Sequence, residues 1–335
     1  MTSTTAFPLA DPDLTERLAA RLALVEESLR TAVAHADSLA DEASRHLVNA
    51  GGKRLRPMLA LLVAELGDGA RREVIDAAVV VELTHLATLY HDDVMDSAPL
   101  RRGAPSAHEV WGNSVAILTG DLLFARASST VAGLGPEAVR IQARTFERLC
   151  LGQLHETVGP REGEDPVEHY LQVLADKTAS LIATSARLGA MFAGCPPDVV
   201  ATVTEFGEKI GVAFQLADDV IDLASDGSVT GKTPGTDLRE RVPTMPALLL
   251  RARVAGPDAT DDDRAVLALL DADLTGDDAL AAAVAALRTH DVVGQTRDRA
   301  VALAREAVRE LGPLPDGPVK DALVSFADAL VDRAA

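Results

Sequence analysis

From Leu14 onward the apolar residues of this chain return at intervals of three and four, and that rhythm limits the possible fold more than any other feature. Leu18, Leu22, Val25, Leu29 and Val33 form one stripe of an amphipathic helix. The same pattern predicts helices over about Leu14–Val48, Arg56–Leu66, Arg71–His91, Trp111–Ser129, Pro136–Val158, Val167–Ala193 and Asp198–Leu223, with four more between Ala247 and Ala335. The stretch Arg71–His91 is apolar on nearly every side through Val79-Val80-Val81, so it is expected to be buried. Strand-type alternation and fixed-length repeats are absent from the pattern. Aromatic residues make up only 3% of the chain, while Ala and Leu, which lose little entropy in a helix, recur throughout. An all-α protein is expected, a bundle of about ten or more helices.

The charge balance excludes one class of function. With 32 Lys and Arg against 51 Asp and Glu, the net charge is −19, which argues against nucleic-acid binding through a basic surface. Apolar residues, at 47%, are enough for a packed core. Cys150 and Cys195 cannot build a disulfide framework, so a reducing compartment is expected. The first residues carry Asp11 and Asp13 and have neither the basic start nor the apolar stretch of a signal peptide. A cytoplasmic location follows as the expectation. The longest uninterrupted apolar runs fall well short of the roughly 18 residues that span a bilayer. One domain over residues 1–335 is expected, with residues 1–13 as a flexible extension.

The sharpest local signal is Asp92-Asp93-Val94-Met95-Asp96, where an apolar helix ends; Asp92 and Asp96 lie one helical turn apart on one face. An Asp-rich helix end is by itself a common solvated feature. A second copy, Asp218-Asp219-Val220-Ile221-Asp222, again closes an apolar helix. If the two helices lie side by side, so many negative charges require cations. Hard Mg²⁺ takes carboxylate oxygens and keeps positions for water and substrate phosphate, so a phosphorylated ligand is implied. Cations stand where such a ligand needs them, in Gly51-Gly52-Lys53-Arg54-Leu55-Arg56-Pro57 and in Arg101-Arg102-Gly103.

The ordered series GGKRLRP, HLATLYHDDVMD, RRGAPSAH, GNSVAILTGDLLFARA, DKTASL, GVAFQLADDVIDL and GKTPGTDLRE, from about residue 50 to 246, resembles the trans-isoprenyl diphosphate synthases of the polyprenyl synthetase family. The resemblance implies the isoprenoid synthase fold, with helices around a central catalytic cavity. It implies a prenyltransferase that condenses isopentenyl diphosphate with an allylic diphosphate primer by ionisation, condensation and elimination. Several Mg²⁺ ions per site would be faced by Asp92, Asp93, Asp96, Asp218, Asp219 and Asp222. Lys53, Arg56, His85 and Arg102 would hold isopentenyl diphosphate, and Arg101, Lys177 and Lys232 the allylic diphosphate. Thr178 and Gln215 would turn oxygens toward the allylic cation. The family further implies a homodimer, and release of an apolar product suggests peripheral membrane contact. Arg54 is read as surface charge.

Within the family the residues before Asp92 line the product tunnel, and early-stopping members place an aromatic there. Ala87 and Thr88 are small, so a product of about six to ten isoprene units is expected. The alternatives are a shorter geranylgeranyl or farnesyl product, or a noncatalytic synthase subunit. Subunits of the latter kind usually lose one Asp motif, and both are whole here. Two decoys fail. Glu82-Leu83-Thr84-His85 spells the E-x-x-H of di-iron bundles, which need a second copy. Gly231-Lys232-Thr233 has Asp226 where a P-loop requires its earlier glycine.

Overall fold

A computed structural model describes residues 10–224 and 235–332, and the described residues are almost entirely helical. Lys232 and most of the expected N-terminal extension lie outside the described residues. The remainder of that extension is ordered differently from expectation. Asp11 caps α1 (Pro12–Ala32) by accepting the Leu14 N–H at 2.7 Å, so residues 12 and 13 are already helical.

The single helix expected over Leu14–Val48 is two. α1 ends at Ala32, and α2 (Ser38–Asn49) starts afresh under Asp37, whose side chain accepts from Ala40 N at 2.9 Å. α3 (Leu55–Ala64) and α4 (Arg72–Met95) follow as expected. Next comes the one hairpin among the described residues, pairing β1 (Leu100–Arg101) with β2 (Ala104–Pro105) in antiparallel register. Its two turn residues both have positive φ, Arg102 at 55° and Gly103 at 77°, the pattern of a type I′ turn. α5 (Ala107–Trp111) and α6 (Asn113–Ala132) are separated at Gly112, whose φ of 81° breaks the helix expected to start at Trp111. α7 (Pro136–Val158) matches expectation.

The run expected over Val167–Ala193 is interrupted. α8 (Pro166–Leu174) passes into a π-helical turn, Ala175–Ala179, before α9 (Ser180–Phe192) resumes. α10 (Pro197–Ala224) carries the second Asp cluster at its end. α11 (Thr236–Arg239), α12 (Met245–Ala255), α13 (Asp261–Leu270), α14 (Asp277–Thr289), α15 (Asp291–Glu310) and α16 (Pro318–Val331) complete the order, giving five helices where four were expected after residue 244.

The chain's contacts fall into two compact units. The first comprises residues 1–149, 180–207 and 310–326, and the second 150–179, 208–309 and 327–335. In the first, Ala77, Val80 and Val81 of α4 pack with Ile141 and Leu149 of α7 and with Leu181 and Leu188 of α9. By length and composition α4 and α6 could each cross a membrane, although no unbroken apolar run suggested it. α4 is mostly buried inside the first unit, whereas α6 leaves Ile117, Leu118 and Leu122 exposed along one face.

Candidate active site

In the first unit the site begins with a helix that ends badly for its own dipole. The last turn of α4 holds Asp92 and Asp93, Asp96 is its C-cap, and no basic residue lies in that turn. Each carboxylate at a helix C-terminus costs about 0.3–1 kcal/mol. Asp92 and Asp96 share one face, and the Asp96 N–H still bonds the Asp92 carbonyl at 2.8 Å. Asp92 is half-buried and Asp96 exposed.

Asp93, expected among the metal-facing carboxylates, is turned toward the protein. It is fully buried, and Arg101 Nε donates to its Oδ1 at 2.6 Å. Burial raises its pKa, while Arg101 opposes the rise. The two arginines of the hairpin thus divide. Arg101 is held from beneath by Asp93, and Arg102 Nη1 donates to the carbonyls of Leu47 (3.1 Å) and Gly51. The Arg102 guanidinium lies directly over Gly52, where a Cβ would come within 2.7 Å of Cζ. Glycine at 52 is favoured by its φ of 142°, and any side chain there would push the Arg102 guanidinium aside.

Arg54 is also corrected. It is buried at 5% exposure, with both Glu26 and Glu82 as partners. That pairing explains the Glu82-x-x-His85 sequence without any di-iron centre, because Glu82 is spent on Arg54. Arg56 has its Nε buried without a hydrogen-bond partner; burial moves its pKa down to about 10 against the pull of Glu82, so it stays charged at neutral pH.

His85 is held well below its usual pKa by burial and then by Arg56, Arg102, Arg101 and Arg54. His85 thus lies buried in the positive field of these guanidinium groups, inside an acidic protein. Because the folded pKa is depressed, the stability linked to this group is fully present above the unfolded value of 6.5 and is lost as pH falls below it. Thermal melts of the ligand-free protein between about pH 5 and 7 should therefore slope downward on acidification, and His85→Gln should flatten that slope. Equal slopes in the two proteins would remove His85 as the cause.

The second unit repeats the logic. Asp218, Asp219 and Asp222 end α10, which has no basic residue in its last turn. Asp219, like Asp93, turns inward. It is 2% exposed and accepts Tyr170 Oη at 2.8 Å and the Met245 N–H at 3.0 Å. Burial pushes its pKa up to about 8 despite these donors. Asp93 and Asp219 are thus engaged by donors of the protein itself, while Asp92, Asp96, Asp218 and Asp222 stand with them at the two helix ends.

The π turn is the feature that periodicity missed. It carries Lys177, paired with Glu156, and Thr178, whose Oγ1 lies 3.4 Å from Gln215 Oε1, so the structure brings these two expected site residues together. Two helical glycines admit this wider turn. A Cβ on Gly152 would lie 2.6 Å from Lys177 N, and one on Gly211 would lie 2.4 Å from Ala179 Cα. π turns are often found at functional sites. Among the described residues no three His, Cys, Asp or Glu side chains are grouped to hold a metal by themselves. The donors present suit a hard divalent ion that draws its other ligands from water and substrate phosphate.

An almost wholly helical fold in which two helices each end in an Asp cluster, the first of them beside the Arg101-Arg102 turn, is that of a prenyltransferase of the isoprenoid synthase class. The crystal structure of geranylgeranyl pyrophosphate synthase from Corynebacterium glutamicum, complexed with calcium and isoprenyl diphosphate, is similar with a TM-score of 0.85 at 41% identity, over 98% of this chain and 99% of that one. A decaprenyl diphosphate synthase from Rhodobacter capsulatus gives a TM-score of 0.84 at 32% identity, over 96% and 99%. Nonaprenyl diphosphate synthase of Mycobacterium tuberculosis is 44% identical over 97% of this chain and 96% of its own length. Residues 37–287 match the polyprenyl synthetase family model, and the chain belongs to that family.

Proposed function

We propose that this enzyme makes a medium- or long-chain all-trans polyprenyl diphosphate from isopentenyl diphosphate and an allylic diphosphate primer. The observation that carries the chain length is a face of α4. Counting back from Asp92, the residues Thr88, Thr84, Val81 and Ala77 follow at helical spacing, and none is aromatic. From Asp92 to Ala77 this column runs about 22 Å, so no aromatic side chain on this face stops the tail over roughly its first four isoprene units, the length at which a geranylgeranyl product would end. The relatives named for nonaprenyl and decaprenyl products support this length. The geranylgeranyl synthase at 41% identity is what favours the shorter alternative.

The residues divide the work. In the first unit Lys53, Arg56, Arg102 and neutral His85 would bind the diphosphate of isopentenyl diphosphate, and Arg101, steadied by Asp93, would meet the allylic diphosphate. In the second unit Lys177 would meet the allylic diphosphate, and the oxygens of Thr178 and Gln215 would face the cation left when the carbon–oxygen bond breaks. The double bond of isopentenyl diphosphate attacks that cation, a carbon–carbon bond forms, and the proton lost restores the double bond, with the departing diphosphate as its acceptor. Asp92, Asp96, Asp218 and Asp222 would hold Mg²⁺, which supplies Lewis-acid stabilisation to the leaving diphosphate. A neighbour complexed with calcium supports a divalent ion. The exposed apolar row of α6, with Leu118 at 61% and Ile117 at 41%, is the surface on which two copies would pair as a homodimer.

Purified protein given Mg²⁺, isopentenyl diphosphate and each of several allylic primers should release diphosphate and yield products that, after dephosphorylation, size at six or more units. Thr88→Phe, one turn before Asp92, should shift them shorter. Products of four units or fewer from the wild type would establish the short-chain alternative. No turnover alone, with activation of a partner synthase, would establish a noncatalytic subunit.

A further inference from the structure

The turn that opens α3 is left-handed at three of its four residues, with φ of 82° at Gly51, 142° at Gly52 and 49° at Arg54. Arg54 is the N-cap and has a side chain, so this conformation costs about 1–2 kcal/mol. No side-chain cap holds the helix start. What holds it is the Arg54 guanidinium. Its Nε donates to Glu26 of α1 at 2.5 Å, Nη1 to Glu82 of α4 at 2.7 Å, and Nη2 to the carbonyl of Val48 in α2 at 3.2 Å, with a longer contact to Glu26 at 3.4 Å.

One side chain therefore joins four helices, and burial, which alone would lower its pKa, is outweighed by the two carboxylates so that the charge is retained. A buried ionic cluster is a poor source of stability, because well-packed apolar groups can do as well, and its better-attested use is to fix a unique geometry. The geometry fixed here is that of the groups around it. Lys53 precedes Arg54, Arg56 follows two residues later, and Glu82 is the largest charge partner of Arg56. Arg54 and Arg102 also satisfy neighbouring carbonyls, Val48 and Leu47, at the open end of α2.

We propose that Arg54, clamped by Glu26 and Glu82, is a positioning residue for isopentenyl diphosphate: it does not touch the diphosphate but sets the turn from which Lys53 and Arg56 reach it and on whose Gly51 carbonyl Arg102 rests. Four of its five donors' worth of bonding is directed inward. This role rests on the assignment of that diphosphate to the first unit.

The test uses Arg54→Lys, which keeps the charge but not the fork, and Glu26→Gln, at the more accessible edge of the cluster. Calorimetric binding of isopentenyl diphosphate is measured together with KM for both substrates and with Tm. Arg54→Lys should weaken isopentenyl diphosphate binding and raise its KM on the order of tenfold, the low end of what losing an outer partner costs a bound group. KM for the allylic primer should stay within about twofold, and Glu26→Gln should move in the same direction by less. Equal weakening of both substrates with a lowered Tm is the pattern of a merely structural residue and overturns the proposal. So does unchanged binding in both variants, or tighter binding in Glu26→Gln, which would reveal Arg54 as a direct ligand held back by Glu26. If Arg54→Lys does not fold, Glu26→Gln decides alone. A wild-type protein that binds isopentenyl diphosphate without turning it over would count against the enzymatic reading and leave the binding comparison intact.

Discussion

Asp92→Ala lowers turnover by about three orders of magnitude or more, with no loss of helical signal; that is the expected result if this carboxylate helps hold the ion that stabilises the leaving diphosphate. Asp218→Ala should behave alike, since its helix ends in the same manner. Stability separates this from damage to the fold. Asp96 sits against the α4 dipole, so the metal-free Asp96→Ala protein should be as stable as wild type or more so by up to about 1 kcal/mol. Loss of activity together with gained or unchanged Tm is the signature of a site that is costly to the fold. Near-normal turnover in both Asp92→Ala and Asp218→Ala would sink the mechanism.

Gly211→Ala should be nearly as damaging to turnover, although it adds only one methyl group. In an ordinary helix the change would gain about 1 kcal/mol of propensity. Here the new Cβ would meet backbone, Ala179 Cα, at 2.4 Å, and neither element has a flexible side chain to yield. Overpacking of this kind costs typically about 1–3 kcal/mol, so the net effect on stability is a modest loss. The effect on chemistry is larger, because relief requires the π turn that carries Lys177 and Thr178 to shift, and a displacement of about 1 Å at such groups can cost about a hundredfold. The expected outcome is a small drop in Tm with roughly hundredfold lower kcat; unchanged kcat would show that the turn's position is not what Gly211 protects.

The helical class and both Asp clusters were legible in the sequence because apolar spacing and i,i+4 carboxylates are local features. Thr178 and Gln215 could be proposed as partners only through family resemblance, and the π turn explains why. Its extra residue shifts the phase between α8 and α9 while leaving the apolar pattern continuous, so Val167–Ala193 reads as one helix. Asp93 and Asp219 look like their neighbours in sequence, yet only tertiary partners, Arg101 for one and Tyr170 with the Met245 backbone for the other, reveal that they face inward. Arg54 misled for the same reason, since both of its carboxylate partners are 28 residues away. A signal for Gly152 and Gly211 did exist, as glycines inside otherwise apolar helices, but their function required the facing backbone.

The Arg102-Gly103 turn has a consequence for how this region can change in length. Arg101, which ends β1, reaches Asp93, while Arg102, turned aside by its φ of 55°, reaches the carbonyls of Leu47 and Gly51. Inserting or deleting a residue in the turn changes its type, and with it the positive φ that aims Arg102 at those carbonyls. Surface turns are ordinarily where a chain tolerates gained or lost residues. This one is two residues long and the first of the two is itself an anchored guanidinium, so its length is held by what Arg102 binds.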